Sequence, residues 1–148
     1  MTQQILVPID GSVSARQALA HACLVQRATQ ARIHLLHVPE VPVAKDALGA
    51  KVGAAPADYT PEKGRLLGER LLEEAWQAMC GDSDEVTYHV VEGQPVETIV
   101  RQATELGVDM IIMGSRGLSN LKSLAVGSVS HKVAHLAPCA VLTLHVPG

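Results

Sequence analysis

The sequence predicts a doubly wound α/β fold, and three observations carry that prediction. Five short apolar runs, at residues 5–9, 33–38, 86–91, 108–113 and 140–146, have the length and branched content of buried strands. Segments with helically spaced apolar residues separate them, so strand and helix alternate along the chain. The first and fourth runs are the most apolar, which makes them central neighbours in a mostly parallel sheet covered on both faces. That placement gives strand order 3-2-1-4-5, with the topological switch point between strands one and four, where such sheets hold ligands. At 148 residues, with no repeat and no second domain visible, residues 1–148 read as one domain.

The first run, ILVPI, ends at Asp10-Gly11-Ser12, a strand entering a turn, with Pro8 placed where a missing N–H is tolerated. Ser12 or Ser14 caps a helix to about Thr29 that gathers Ala15, Ala18, Leu19, Ala22 and Cys23 on one face. IHLLHV (33–38) is the second strand. Residues 39–58 are rich in Pro, Ala, Gly and Val without a period and read as a long loop, of a length that is usually functional or mobile. Thr60-Pro61-Glu62 supplies an N-cap, a proline at the first helical position and an early acid. The helix it starts should end near Gly81, with Leu67, Leu71, Glu74 and Ala75 marking where its faces divide and Glu69, Arg70 and Glu73 solvated. VTYHVV (86–91) is the third strand. Gln94-Pro95 opens a third helix, on which Val96, Ile99, Val100 and Ala103 share a face and which Gly107 ends. VDMIIM (108–113) is the fourth strand, a last helix ends near His135, and AVLTLHV (140–146) is the fifth.

Composition narrows the function classes. The chain is 47% hydrophobic and 18% charged, a globular balance. One Trp, two Tyr and no Phe leave few rings on which a planar ligand can stack, which disfavours a flavin. A net charge of −3 without a run of five like charges argues against nucleic acid as the main partner. No stretch approaches the roughly 18 to 20 apolar residues of a transmembrane helix, and the first ten residues have no signal-peptide pattern. Cys23, Cys80 and Cys139 are odd in number, far apart and form no CxxC, which reads as free thiols in a cytosolic protein.

The most informative stretch follows the fourth strand: Met113-Gly114-Ser115-Arg116-Gly117, then Gly127-Ser128-Val129. The spacing is Gly, two residues, Gly, nine residues, Gly-Ser. Glycines let a backbone approach phosphate oxygens, and successive N–H groups form an anion-binding concavity. The second Gly-Ser is placed to open a helix, whose first turn adds a positive dipole end and unpaired N–H donors. There is no GxxxxGK[ST], and no GxGxxG after the first strand, so the two commonest nucleotide loops are excluded. Turn formation and close helix packing are the simpler roles for these glycines. Their joint spacing at a switch point favours a phosphate loop.

On these residues the chain resembles the universal stress protein family, over nearly its whole length. The resemblance rests on ILVPIDGS (5–12), on HLLHV (34–38) and on VDMIIMGSRGLSNLKSLAVGSVSHKVAHLAPCAVLTL (108–144). The last segment matches the G-2x-G-9x-G-S/T signature of the ATP-binding branch. The resemblance implies a flavodoxin-like five-stranded fold, a cytoplasmic homodimer, and ATP (or ADP or AMP) held between strands one and four. Pro8, Ile9 and Asp10 would then line the adenine and ribose side, and Val38 would pack on adenine. Met113 and Gly114 would close the other side, while Gly117, Gly127, Ser128 and Val129 would hold the phosphates. Ser115 and Arg116 lie in the same loop, and any divalent metal would be Mg²⁺ bridging phosphates. Asn120 stands where the family often has glycine, outside the signature.

The remaining candidates carry less. His131 and His135 are four apart on a helix but lack a third ligand at metal spacing, and His34 and His37 lie on opposite faces of a strand. Cys139 beside Pro138 has no activating partner and reads as a small packed hydrophobe. The fifth strand reads as a sheet edge, and pairing with a second copy would cover it. No arginine finger, P-loop lysine or positioned base is visible, so the expected role is nucleotide binding with at most slow hydrolysis. The alternatives are an interaction module without nucleotide, or a weak ATPase or small-molecule transferase using the same crevice.

Overall fold

Five parallel strands form one sheet of order β3-β2-β1-β4-β5, as the apolar ranking of the strands requires. The computed structural model describes residues 3–39, 60–81, 85–115 and 128–145. Its elements are β1 (Gln4–Pro8), α1 (Val13–Thr29), β2 (Arg32–His37), α2 (Pro61–Cys80), β3 (Val86–Val90), α3 (Pro95–Leu106), β4 (Met110–Gly114), α4 (Ser128–Leu136) and β5 (Ala140–Leu144). Of the expected 39–58 loop, all but Pro39 lies outside the described residues. Among the described residues no helix is long and apolar enough to cross a membrane.

Strand parity splits the core in two. Ile5, Val7, Ile33 and Leu35 face one way, into a cluster with Ala15, Ala18, Leu19 and Ala22 of α1 and Leu72 and Trp76 of α2. Leu6, Leu36, Ile111 and Met113 face the other way, onto Ile99 and Ala103 of α3 and Val133 of α4. β1 sits between β2 and β4, with Leu6 opposite His34 on one side and Ile111 on the other.

Several sequence expectations shift: β2 runs Arg32–His37 and not 33–38, and β5 ends at Leu144, with His145 beyond it. The fourth strand starts at Met110 and not at Val108, because the Val108 N–H is used in closing α3, donating to the Ala103 carbonyl at 3.2 Å. The buried stripe of α2 is Gly64, Gly68, Leu72, Trp76 and Cys80, while Leu67 is 67% exposed. The reason is distance: a Cβ on Gly68 would stand 2.8 Å from Val90 Cγ1 and 3.0 Å from His37 Cδ2, so α2 lies on the sheet through its glycines. Finally, Cys23 and Cys80 are not separate thiols but a disulfide joining α1 to α2, with Cα atoms 5.6 Å apart. Their sequence separation of 57 hid the pair, because only the packing of α1 beside α2 brings them together.

Candidate functional site

The candidate site lies where β1 and β4, neighbours in the sheet, end side by side. Pro8 closes β1, and Ile9 then buries its side chain while both of its backbone polar groups are engaged. Its N–H donates to the Leu36 carbonyl at 2.8 Å, and its carbonyl accepts from His37 Nδ1 at 2.8 Å. Asp10 follows as an exposed carboxylate whose Oδ1 accepts from the Ser12 N–H at 2.9 Å. Ser12 caps α1, its Oγ accepting from the Ala15 N–H at 3.1 Å. The turn is thus locked from both ends, and Asp10 is exposed to solvent.

Val38 lies just past β2, half-buried against the cluster that contains Leu36 and Met113, and Val129 of α4 packs on the same cluster. Three of the sequence-selected apolar residues therefore share one surface. Met113 is buried, and Gly114 ends β4. Gly114 does not have positive φ; its need for glycine comes from α1, since a Cβ there would stand 2.6 Å from the Ser14 carbonyl carbon. Close packing accounts for this glycine without any ligand.

Beyond Gly114 the chain is held by α4 and β5. The Ser115 N–H donates to the Leu144 carbonyl at 2.9 Å, and its carbonyl accepts from Ser130 Oγ at 3.1 Å. Ser115 Oγ lies 3.4 Å from His145 Nδ1, and the residue is only 4% exposed. Ser128 is the exposed first residue of α4. The start of the glycine-rich segment and the first turn of α4 therefore meet, although 15 residues separate Ser115 from Ser130. Arg116, Gly117 and Gly127 lie outside the described residues.

Sequence reading missed Ser14, Ser130, His37 and His145 as parts of this region. His37 carries a partial signal in the sequence, as the last residue of the strand that borders β1. The others are placed by neighbours distant in sequence. His34 and His37 do face opposite ways: His34 meets Gln4 and His89, while His37 meets Ile9 and the Gly68 turn of α2. His131 and His135 stack at 6.0 Å, and among the described residues no group of three or more potential metal ligands exists.

A five-stranded parallel sheet of order β3-β2-β1-β4-β5, with Asp10 after β1 and Ser115 after β4 tied to the first turn of α4, defines a doubly wound α/β domain. The chain belongs to the universal stress protein family, whose model matches residues 1–145. It is 33% identical over 145 residues to the universal stress protein YxiE of Bacillus subtilis, covering 96% of this chain and 98% of that one. The universal stress protein MJ0577 of Methanocaldococcus jannaschii is 35% identical over 143 residues, or 90% of this chain and 88% of that one. The solved structure of MJ0577 aligns over 100% of this chain and 99% of that chain with a TM-score of 0.67 and 31% identity. A universal stress protein solved in complex with cAMP aligns over 97% of both chains with a TM-score of 0.68 and 25% identity.

Proposed function

We propose that the chain is an ATP-binding regulatory module of this family, one that holds the nucleotide between β1 and β4 as a ligand and turns it over slowly at most. The observation that supports the reading is the Ser130–Ser115 contact, which brings the residue after Gly114 to the first turn of α4, where Ser128 begins the helix. In this reading Pro8, Ile9 and Asp10 flank the base and ribose, with Val38 and Met113 against adenine. Gly114 closes the other side with Met113, and Gly117, Gly127, Ser128 and Val129 hold the phosphates, with Ser115 and Arg116 in the same loop and Mg²⁺ bridging the phosphates. The α4 start turns the positive end of its helix dipole toward the anion in this reading. The cAMP complex of a relative supports the choice of an adenine nucleotide. At most slow turnover is expected, because the sequence shows no P-loop lysine, arginine finger or positioned base.

The same reading includes a cytoplasmic homodimer paired through the fifth strand. Isothermal titration with ATP and Mg²⁺ tests the nucleotide. Binding is expected for the wild type and its loss for Gly117→Val and Gly127→Val, with circular dichroism unchanged. Absence of heat for the wild type, with an unshifted melting temperature, would sink the proposal. Phosphate release faster than roughly 1 per second would move the chain to the enzymes.

A further inference from the structure

We propose that Cys23 and Cys80 are a site of reversible oxidation, a dithiol–disulfide couple that staples α1 to α2 when a hydroperoxide reaches it. The pairing belongs to the fold and does not depend on the bond. α1 and α2 lie side by side through Ala15, Ala18, Leu19, Ala22, Leu72 and Trp76, all in one buried cluster, and the two cysteines complete it. Their Cα atoms are 5.6 Å apart, within the span that a disulfide bridges without backbone movement. The reduced protein therefore keeps the two sulfurs facing each other. Cys139 takes no part: it lies against the cluster on the opposite face of the sheet, and burial, with Asp109 adding to it, pushes its thiol up.

Cys80 is the more exposed of the pair, 7% against 2%, and ends its helix, so a small oxidant meets it first. Its sulfur attacks one hydroperoxide oxygen, the O–O bond breaks, and the thiol proton leaves with the displaced oxygen as water or alcohol. The Cys80 sulfenic acid so formed is attacked by the Cys23 sulfur. The S–O bond breaks, the S–S bond forms, and hydroxide departs with the Cys23 proton as water. Two thiols give up two electrons and two protons, and a dithiol reductant reverses the change by exchange.

The bridge closes a sequence separation of 57 residues, which restricts the unfolded chain far more than the folded one. The helices it joins brace the candidate site, α1 through Ser14 under Gly114 and α2 through Gly68 against His37. Neither brace depends on which ligand the site takes.

The test uses the full chain, reduced with dithiothreitol, desalted, exposed to hydrogen peroxide, then denatured, alkylated with N-ethylmaleimide and weighed. Three adducts are expected before peroxide and one, on Cys139, afterwards, with a peptide linking Cys23 to Cys80. The oxidised protein should melt roughly 10 °C above the reduced one. Cys23→Ala should melt with the reduced wild type whether or not peroxide is added. Three adducts after peroxide, over-oxidation of Cys80 without a bridge, or equal melting of oxidised and reduced wild type would each overturn the proposal. The last comparison needs no variant.

Discussion

His34 shows what a single side chain contributes beyond its place in a strand. Its Nε2–H donates to Gln4 Oε1 at 2.8 Å, so in the neutral ring Nδ1 accepts from His89 Nε2–H at 3.0 Å. Burial, with repulsion from His89 and Arg32 adding to it, holds the His34 imidazole below the usual histidine range, and burial does the same for His89. The sign of the consequence is fixed by linkage. Below about pH 6.5 the unfolded chain binds protons that the folded pair declines, so stability falls as the pH drops from there through the depressed folded values. Urea unfolding between about pH 8 and pH 5 should show that loss, and His34→Gln/His89→Gln should flatten the slope. Equal slopes in the two proteins would refute the assignment. The sequence offered two histidines on different strands, but not their contact, since register places them diagonally and not opposite each other.

α2 illustrates where helical periodicity informs and where it misleads. Thr60, Pro61 and Gly81 were legible as its limits because capping is local chemistry, and the Thr60 side chain does accept from the Lys63 N–H at 3.2 Å. The buried face was not legible, because leucine at 67 and 71 outweighed glycine at 64 and 68 in a hydrophobic count. Contact distance decides the matter. Replacing a helix glycine by alanine ordinarily gains about 1 kcal/mol. At Gly68 that gain meets the stiff Val90 side chain at 2.8 Å, an overlap worth about 1–3 kcal/mol. Gly68→Ala should therefore lower stability in urea unfolding, while Leu67→Gln should change it by less than about 0.5 kcal/mol. A stabilised Gly68→Ala would mean that α2 rides higher on the sheet than its geometry states.

For the whole molecule, strand order and switch point were legible from the apolar ranking of five runs, because burial on both faces demands uninterrupted apolar sequence. The candidate site was legible only as a set of ends. Asp10, Met113, Gly114 and Ser128 follow from where strands stop and a helix starts, whereas Ser14, Ser130 and His145 depend on tertiary neighbours. Among the described residues β5 has one bonded neighbour, β4, and it carries exposed Thr143 beside half-buried Leu142 and Leu144. Such an edge invites a second copy, so sedimentation at about micromolar concentration should give a dimer mass that Thr143→Lys reduces to a monomer. A monomeric wild type would remove the edge from consideration as an interface. The contact of Ser14 with Gly114 bears on how related sequences are read. The first letter of the G-2x-G-9x-G-S spacing is already imposed by the seating of α1 on β4, so its presence in another chain diagnoses that seating. The diagnostic weight for a bound nucleotide falls on the later letters, and a search that scores all of them equally overcounts the first.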